Sequence, residues 1–191
     1  TEFKDSPVGR IPAEWDVGTI DQYAHVSTGS KNTQDKVSNG KYPFIVRSQK
    51  VAFINSYSFD EEAILTAGDG VGTGKVFHYL NEKFDVHQRV YVIRKFEPKM
   101  LGKFLYFYFS SNFIFQVNKF SAKGSVDSVR MDMIAKMNIP VPSIEEQKVI
   151  ADSIASVEKS LCTKTHLLNA YKKQKKALMQ DLLTGKVRVK I

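Results

Sequence analysis

The chain has 191 residues, 42% of them hydrophobic, with 28 Lys/Arg against 20 Asp/Glu and a formal charge of +8. A single cysteine, Cys162, excludes a disulfide framework within the chain, and no apolar run approaches the about 20 residues of a membrane span. With no signal peptide visible, the expected compartment is a reducing cytoplasm.

The charge is unevenly placed. Residues 1–143 carry 18 Lys/Arg and 15 Asp/Glu, whereas residues 144–191 carry 10 and 5. The first part is therefore only mildly basic, and any nucleic-acid surface on it must be local. Lys172, Lys173, Lys175 and Lys176 hold much of the excess; such a run is a solvated helix face, or else it touches phosphates or an acidic partner. The chain starts at Thr1 rather than Met, as a trimmed segment does.

Residues 1–15 contain Pro7, Gly9 and Pro12 and read as an irregular arm ending at Trp15. Short strand-like runs follow at residues 16–20, 24–28, 42–46, 63–67, 75–80 and 90–94. Residues 27–40, rich in Gly, Ser and Asn, are a loop. Residues 98–117 are dense in Phe, Tyr, Leu and Met, enough for one buried helix or two short ones, with the aromatics serving the core. A basic loop spans residues 120–130 and a closing strand residues 138–141. The mixture predicts an α+β head over residues 1–142, with a mixed, mostly antiparallel, strongly bent sheet and short helices.

A long helix follows over residues 143–191. Ser143-Ile144-Glu145-Glu146 is a capping box, in which the Ser side chain caps the amide three residues on and Glu146 reaches back to the Ser amide. Gly185 supplies the left-handed residue that ends many helices. Between them, Ile150, Val157, Tyr171 and Leu178 form one row at heptad spacing and Ile154, Leu161, Leu168 and Leu182 another, broken by Lys164 and Lys175. About 40 residues at about 1.5 Å each make a rod of roughly 60 Å, long against a head whose radius of gyration is near 14 Å. Most of the stripe is therefore expected to meet another helix, from a second copy or from a different protein.

Several chemistries fail on inspection. Gly68-Asp69-Gly70-Val71-Gly72-Thr73-Gly74-Lys75 invites a phosphate-loop reading, but the first required Gly is Asp69 and the residue after the Lys is Val76. A strand-like run follows where a helix should aim its amides at phosphate. Glu97-Pro98-Lys99 matches only half of a metal-nuclease motif. His25, His78, His87 and His166 have no metal-ligand spacing with Cys162. The expectation is a non-enzymatic chain.

Gly9-Arg10-Ile11-Pro12-Ala13-Glu14-Trp15 resembles the opening "G-x-I-P-x-x-W" of the specificity (S) subunits of type I restriction–modification systems. Gly68–Lys75 sits where that family carries a Gly-rich turn after a "gD" step, and Lys123-Gly124-Ser125 is similar to its "G-S" loop. Ile139-Pro140-Val141-Pro142-Ser143-Ile144-Glu145-Glu146-Gln147 resembles its "I-P-x-P-x-x-E-Q" approach to a conserved helix, and residues 172–189 resemble the end of that helix. The resemblance implies a target recognition domain at 1–142 and a helix for dimerisation and spacing at 143–191. It also implies a function: sequence-specific recognition of half of a bipartite double-stranded DNA target, with methyltransferase (M) and restriction (R) subunits docked as partners. S-adenosylmethionine, ATP and magnesium would then belong to those partners, and no cofactor to this chain. Typical S subunits have two such units. This chain has one, as a half-subunit that forms a homodimer through Ile150, Ile154, Val157, Leu161, Leu168, Tyr171, Leu178 and Leu182, or as a fragment.

Base edges are read by forked or amide side chains, whereas Lys, Ser and Thr mainly hold phosphates. The candidates for DNA contact are Lys31, Asn32 and Thr33 in the first loop, then Arg47, Ser48, Gln49 and Lys50. Thr73 and Lys75 flank the glycine turn, Gln88 and Arg89 precede a strand, and Lys123, Ser125 and Arg130 lie in the late loop. Arg47, Gln49, Gln88 and Arg89 are the expected base readers. Two alternatives stay open: a DNA-dependent nuclease, and a coiled-coil assembly adaptor without DNA contact of its own.

Overall fold

The computed structural model describes residues 2–120 and 128–189. Its first element corrects the expected irregular arm: β1 (Phe3–Ser6) and β2 (Gly9–Pro12) form an antiparallel hairpin. Pro7 and Gly9 read as breakers because Pro7-Val8 is the turn and Gly9 leaves it at φ +103°.

β3 (Asp16–Thr19) leads into the single turn α1 (Ile20–Tyr23) and pairs with the last strand, β10 (Asn138–Val141). The main sheet comprises β4 (His25–Thr28), β5 (Tyr42–Ile45), β6 (Ala52–Ile54), β7 (Phe59–Ala67), β8 (Phe77–Val86) and β9 (Val90–Arg94), in the spatial order β4-β9-β7-β8-β5-β6. All its pairings are antiparallel except β5 with β8, so the mixed, mostly antiparallel sheet is borne out. β7 and β8 run well beyond their apolar stretches, into residues such as Asp60, Glu61, Asn81 and Glu82, and propensity alone cannot follow them there.

The sheet is bent hard enough for the end of β8 to return to the loop after β4. Lys31 N–H donates to Val86 O at 3.2 Å, and Lys31 forms a parallel β-bridge with His87. A Cβ built on Gly29 would lie 2.0 Å from the Val86 carbonyl oxygen, so only Gly permits this approach. Inside the bend, Ile45, Ala63, Leu65, Phe84, Val86, Val90 and Val92 make one buried cluster.

The other face of β7 and β8 is covered by α2 (Gly102–Phe120), a single helix of 19 residues rather than two short ones. Phe77 of β8 meets Phe109 and Phe113 edge-on at 5.5 and 6.4 Å, and those two rings stack at 4.5 Å. The aromatic run therefore serves the core, as its density predicts. A short helix, α3 (Met131–Ala135), buries Met133 and Ile134 before β10.

α4 (Ile144–Leu183) has the caps that its sequence predicts. Glu146 N–H donates to Ser143 Oγ and Ser143 N–H to Glu146 Oε2, both at 3.3 Å. At the other end Gly185 sits at φ +73°, and Val187 N–H donates to Asp181 O at 3.0 Å. By compactness the chain divides into Thr1–Ala151 and Asp152–Ile191 rather than at residue 142. The first two turns of α4 belong with the head because Gln147 and Ala151 are buried there. Among the described residues no helix is long and apolar enough to cross a membrane.

Candidate nucleic-acid interface

The bend of the sheet gathers the predicted loops. Asp69, just past the end of β7, is their meeting point. Arg47 Nη1 donates to its Oδ1 at 2.7 Å, and Arg89 Nε lies 3.8 Å from its Oδ2. The backbone fixes the Asp: Gly68 N–H donates to Arg89 O at 2.8 Å, Val129 N–H donates to Gly68 O at 2.7 Å, and Asp69 forms a β-bridge with Ser128. Residues far apart in sequence thus present two guanidinium groups around one carboxylate, with the side chains 47% and 64% exposed and that of Asp69 20%.

Next to this pair, Gln88 Nε2 donates to Asn32 Oδ1 at 2.7 Å, joining two predicted loops through their side-chain amides. Asn32 is itself tied down, its N–H donating to Asp35 Oδ2 at 2.7 Å at the start of a 3-10 turn, Thr33–Asp35. Lys31 is drawn inward: its Nζ lies 3.9 Å from the fully buried carboxylate of Asp85, which also accepts from Ser56 Oγ at 2.9 Å. Lys31 thus has a structural partner in addition to any phosphate it meets.

The loop after β5 is held to β8. Gln49 Nε2 donates to Phe77 O at 3.3 Å, Ser48 Oγ to Lys50 O at 2.9 Å, and His78 Nε2 to Ser48 O at 3.0 Å. Ser48, Lys50 and Thr33 share a groove with Lys36 and Phe53. In the glycine turn, Thr73 Oγ1 donates to Gly70 O at 2.7 Å, while Lys75 points outward next to the strand that replaces a phosphate-loop helix. Arg130 caps α3 and sits 3.6 Å from Asp132. Lys123 and Ser125 lie outside the described residues.

Two histidines stiffen the rim in their neutral form. Burial lowers the pKa of His87, and the positive charge of Arg47 lowers it further; its Nδ1 accepts the Arg89 N–H at 3.0 Å. Burial also lowers that of His78. Tyr91, its hydroxyl pKa raised by burial, donates to Val129 O at 2.9 Å and so holds the late loop to β9.

Asp69 and Tyr91 were not among the sequence candidates. The Gly68-Asp69 step before a Gly-rich turn was the available signal for Asp69, but its partners are 22 residues before it and 20 after, which spacing does not reveal. The predicted seam lies on α4: Ile150 is half-buried, whereas Ile154, Val157, Leu161, Leu168, Tyr171, Leu178 and Leu182 are all exposed.

The profile of the type I restriction modification DNA specificity domain matches residues 12–173, and the chain belongs to that family. It is 27% identical to the type I restriction enzyme EcoDI specificity subunit of Escherichia coli, over 94% of this chain and 40% of that protein. It is 26% identical to the MjaVIII specificity subunit of Methanocaldococcus jannaschii, over 98% of this chain and 50% of that one. Among solved structures, the S subunit from M. genitalium aligns with a TM-score of 0.68 at 13% identity, covering 87% of this chain and 45% of its own. The HsdS subunit from Thermoanaerobacter tengcongensis aligns at 0.62 and 12% identity, over 94% and 47%. The chain spans about half the length of the curated relatives it matches.

Proposed function

We propose that this chain reads one half of a split double-stranded DNA target as the recognition component of a type I restriction–modification complex, and performs no catalysis itself. The family match over residues 12–173 carries this reading. The rim around Asp69 supports it in chemistry, since guanidinium and carboxamide groups are the side chains that read guanine and adenine edges. Arg47, Arg89, Gln88 and Gln49 are the proposed base readers. Lys31, Lys50, Lys75 and Lys123 position the backbone, and Asn32, Thr33, Ser48, Thr73, Ser125 and Arg130 complete the DNA-contact set. M subunits would supply S-adenosylmethionine chemistry and R subunits the ATP- and magnesium-dependent cleavage, both docked on this chain. Residues 1–142 act as the recognition domain and 143–191 as the spacer. Two copies pair through the exposed seam and read an inverted pair of half-sites.

The test is binding of the purified chain to duplex DNA across a salt series. Affinity falls linearly with salt on logarithmic axes. Arg47→Ala and Arg89→Ala each cost about 1–3 kcal/mol and relax preference at one position. No binding at low salt marks an assembly adaptor instead, and metal-dependent cleavage by the chain alone marks a nuclease. If alanine at Arg47, Gln49, Gln88 and Arg89 leaves affinity and sequence preference intact, the reading surface is elsewhere.

A further inference from the structure

We infer that Asp69 is a specificity-determining positioning residue, which clamps Arg47 and Arg89 so that each meets a base edge and neither is free to settle on phosphate. This rests on the DNA-reading function proposed above and assigns a role within that site to an acidic residue facing the polyanion.

A half-buried carboxylate on a DNA-facing rim opposes binding, so its presence between two arginines needs a gain elsewhere. The geometry supplies one. Asp69 accepts a hydrogen bond from Nη1 of Arg47 at 2.7 Å and forms a looser ion pair with Nε of Arg89 at 3.8 Å. Arg47 keeps its Nε/Nη2 edge and Arg89 its Nη1/Nη2 edge, and each is a two-nitrogen fork of the kind that fits the O6 and N7 acceptors of guanine.

The clamp is itself rigid. The backbone of Gly68 is hydrogen-bonded to Arg89 O and Val129 N, and the backbone N–H of Arg89 to His87. Two long side chains that would otherwise sample many rotamers are ordered before DNA arrives, which lowers the entropy lost on correct docking. The three groups together carry one positive charge rather than two, which weakens attachment to any phosphate backbone. Discrimination rises because the sequence-independent term falls.

Asp69→Asn is nearly isosteric, removes the charge and leaves one acceptor oxygen where Asp has two. Wild type and variant are compared for affinity to a random-sequence duplex across a salt series, and for the motif each enriches from a randomised duplex pool. The variant binds the random duplex several-fold more tightly, with a salt slope steeper by about 0.9 for each arginine released to phosphate. Its enrichment of the wild-type motif drops about tenfold or more at the bases read by these arginines. Asp69→Glu, which restores the charge, recovers the wild-type slope and part of the enrichment. Asp69→Ser gives the same two readouts should the Asn variant fold poorly.

A parallel loss of binding to motif and random duplexes assigns Asp69 a merely structural role and overturns the inference. Unchanged enrichment overturns it too, as does a Glu variant as permissive as the Asn one. A wild-type chain that enriches no motif overturns the DNA-reading proposal and this inference together.

Discussion

Gln147→Leu lowers the unfolding free energy of the head by about 3 kcal/mol, a fall of about 6–12 °C in melting temperature for a chain of this size. Gln147 is fully buried. Its Nε2 donates to Lys99 O at 2.8 Å and Pro142 O at 3.0 Å, while its Oε1 accepts the Leu101 N–H at 2.8 Å. One side chain thus satisfies the segment before α2 and the segment before α4. Leu fills nearly the same volume, so no cavity forms; the loss comes from leaving one donor and two acceptors without partners in a dry site. Gln147→Glu costs at least as much, because a carboxylate then faces two carbonyl oxygens. Thermal unfolding followed by circular dichroism checks both, and a melting temperature within a degree or two of wild type for either would contradict the assignment.

Leu161→Asp and Leu168→Asp should abolish self-association while leaving the head intact. Both leucines are exposed in the single chain, at 64% and 52%, so neither contributes to the core of the head. In a paired seam an Asp buries an uncompensated charge, which costs several kcal/mol and raises the dimer dissociation constant about 100-fold or more. Sedimentation velocity reports the mass and thermal unfolding reports the head. A parent chain that stays monomeric at high concentration rules out self-pairing. An Asp variant that dimerises like the parent places the interface elsewhere.

The parts legible in the sequence are those fixed by short-range physics. The caps of α4 are a Ser and a Glu three residues apart and a single Gly, and both ends form as their chemistry requires. β9 and β10 coincide with their apolar runs, and the aromatic density of residues 102–120 becomes a core helix. The N-terminal hairpin was missed because Phe3–Ser6 and Gly9–Pro12 are mostly exposed and carry no alternation to mark them as strands. The candidate site was legible as a set of polar loops but not as a constellation. Arg89 lies beside Asp69 because β7 and β9 pair, whereas Arg47 joins them, and Gln88 finds Asn32 across 56 residues, because the sheet bends.

The motifs that carry the family resemblance turn out to be joints. Trp15 Nε1 donates to Glu146 Oε1 at 3.3 Å, β3 just after Trp15 pairs with β10, and Gln147 ties the start of α4 to the approach of α2. The motifs at residues 9–15 and 139–147 hold one another in place, and the proposed DNA-reading residues come largely from the loops between them.

The most direct test of the central claim, that this chain supplies sequence choice to borrowed enzymes, is a map of methylated bases in cells carrying it with its M subunit. The expected map shows one split motif whose two halves are inverted copies, lost when the chain is omitted and altered when Arg47 or Arg89 is replaced. Methylation that is absent, or that keeps the same motif without this chain, would contradict it.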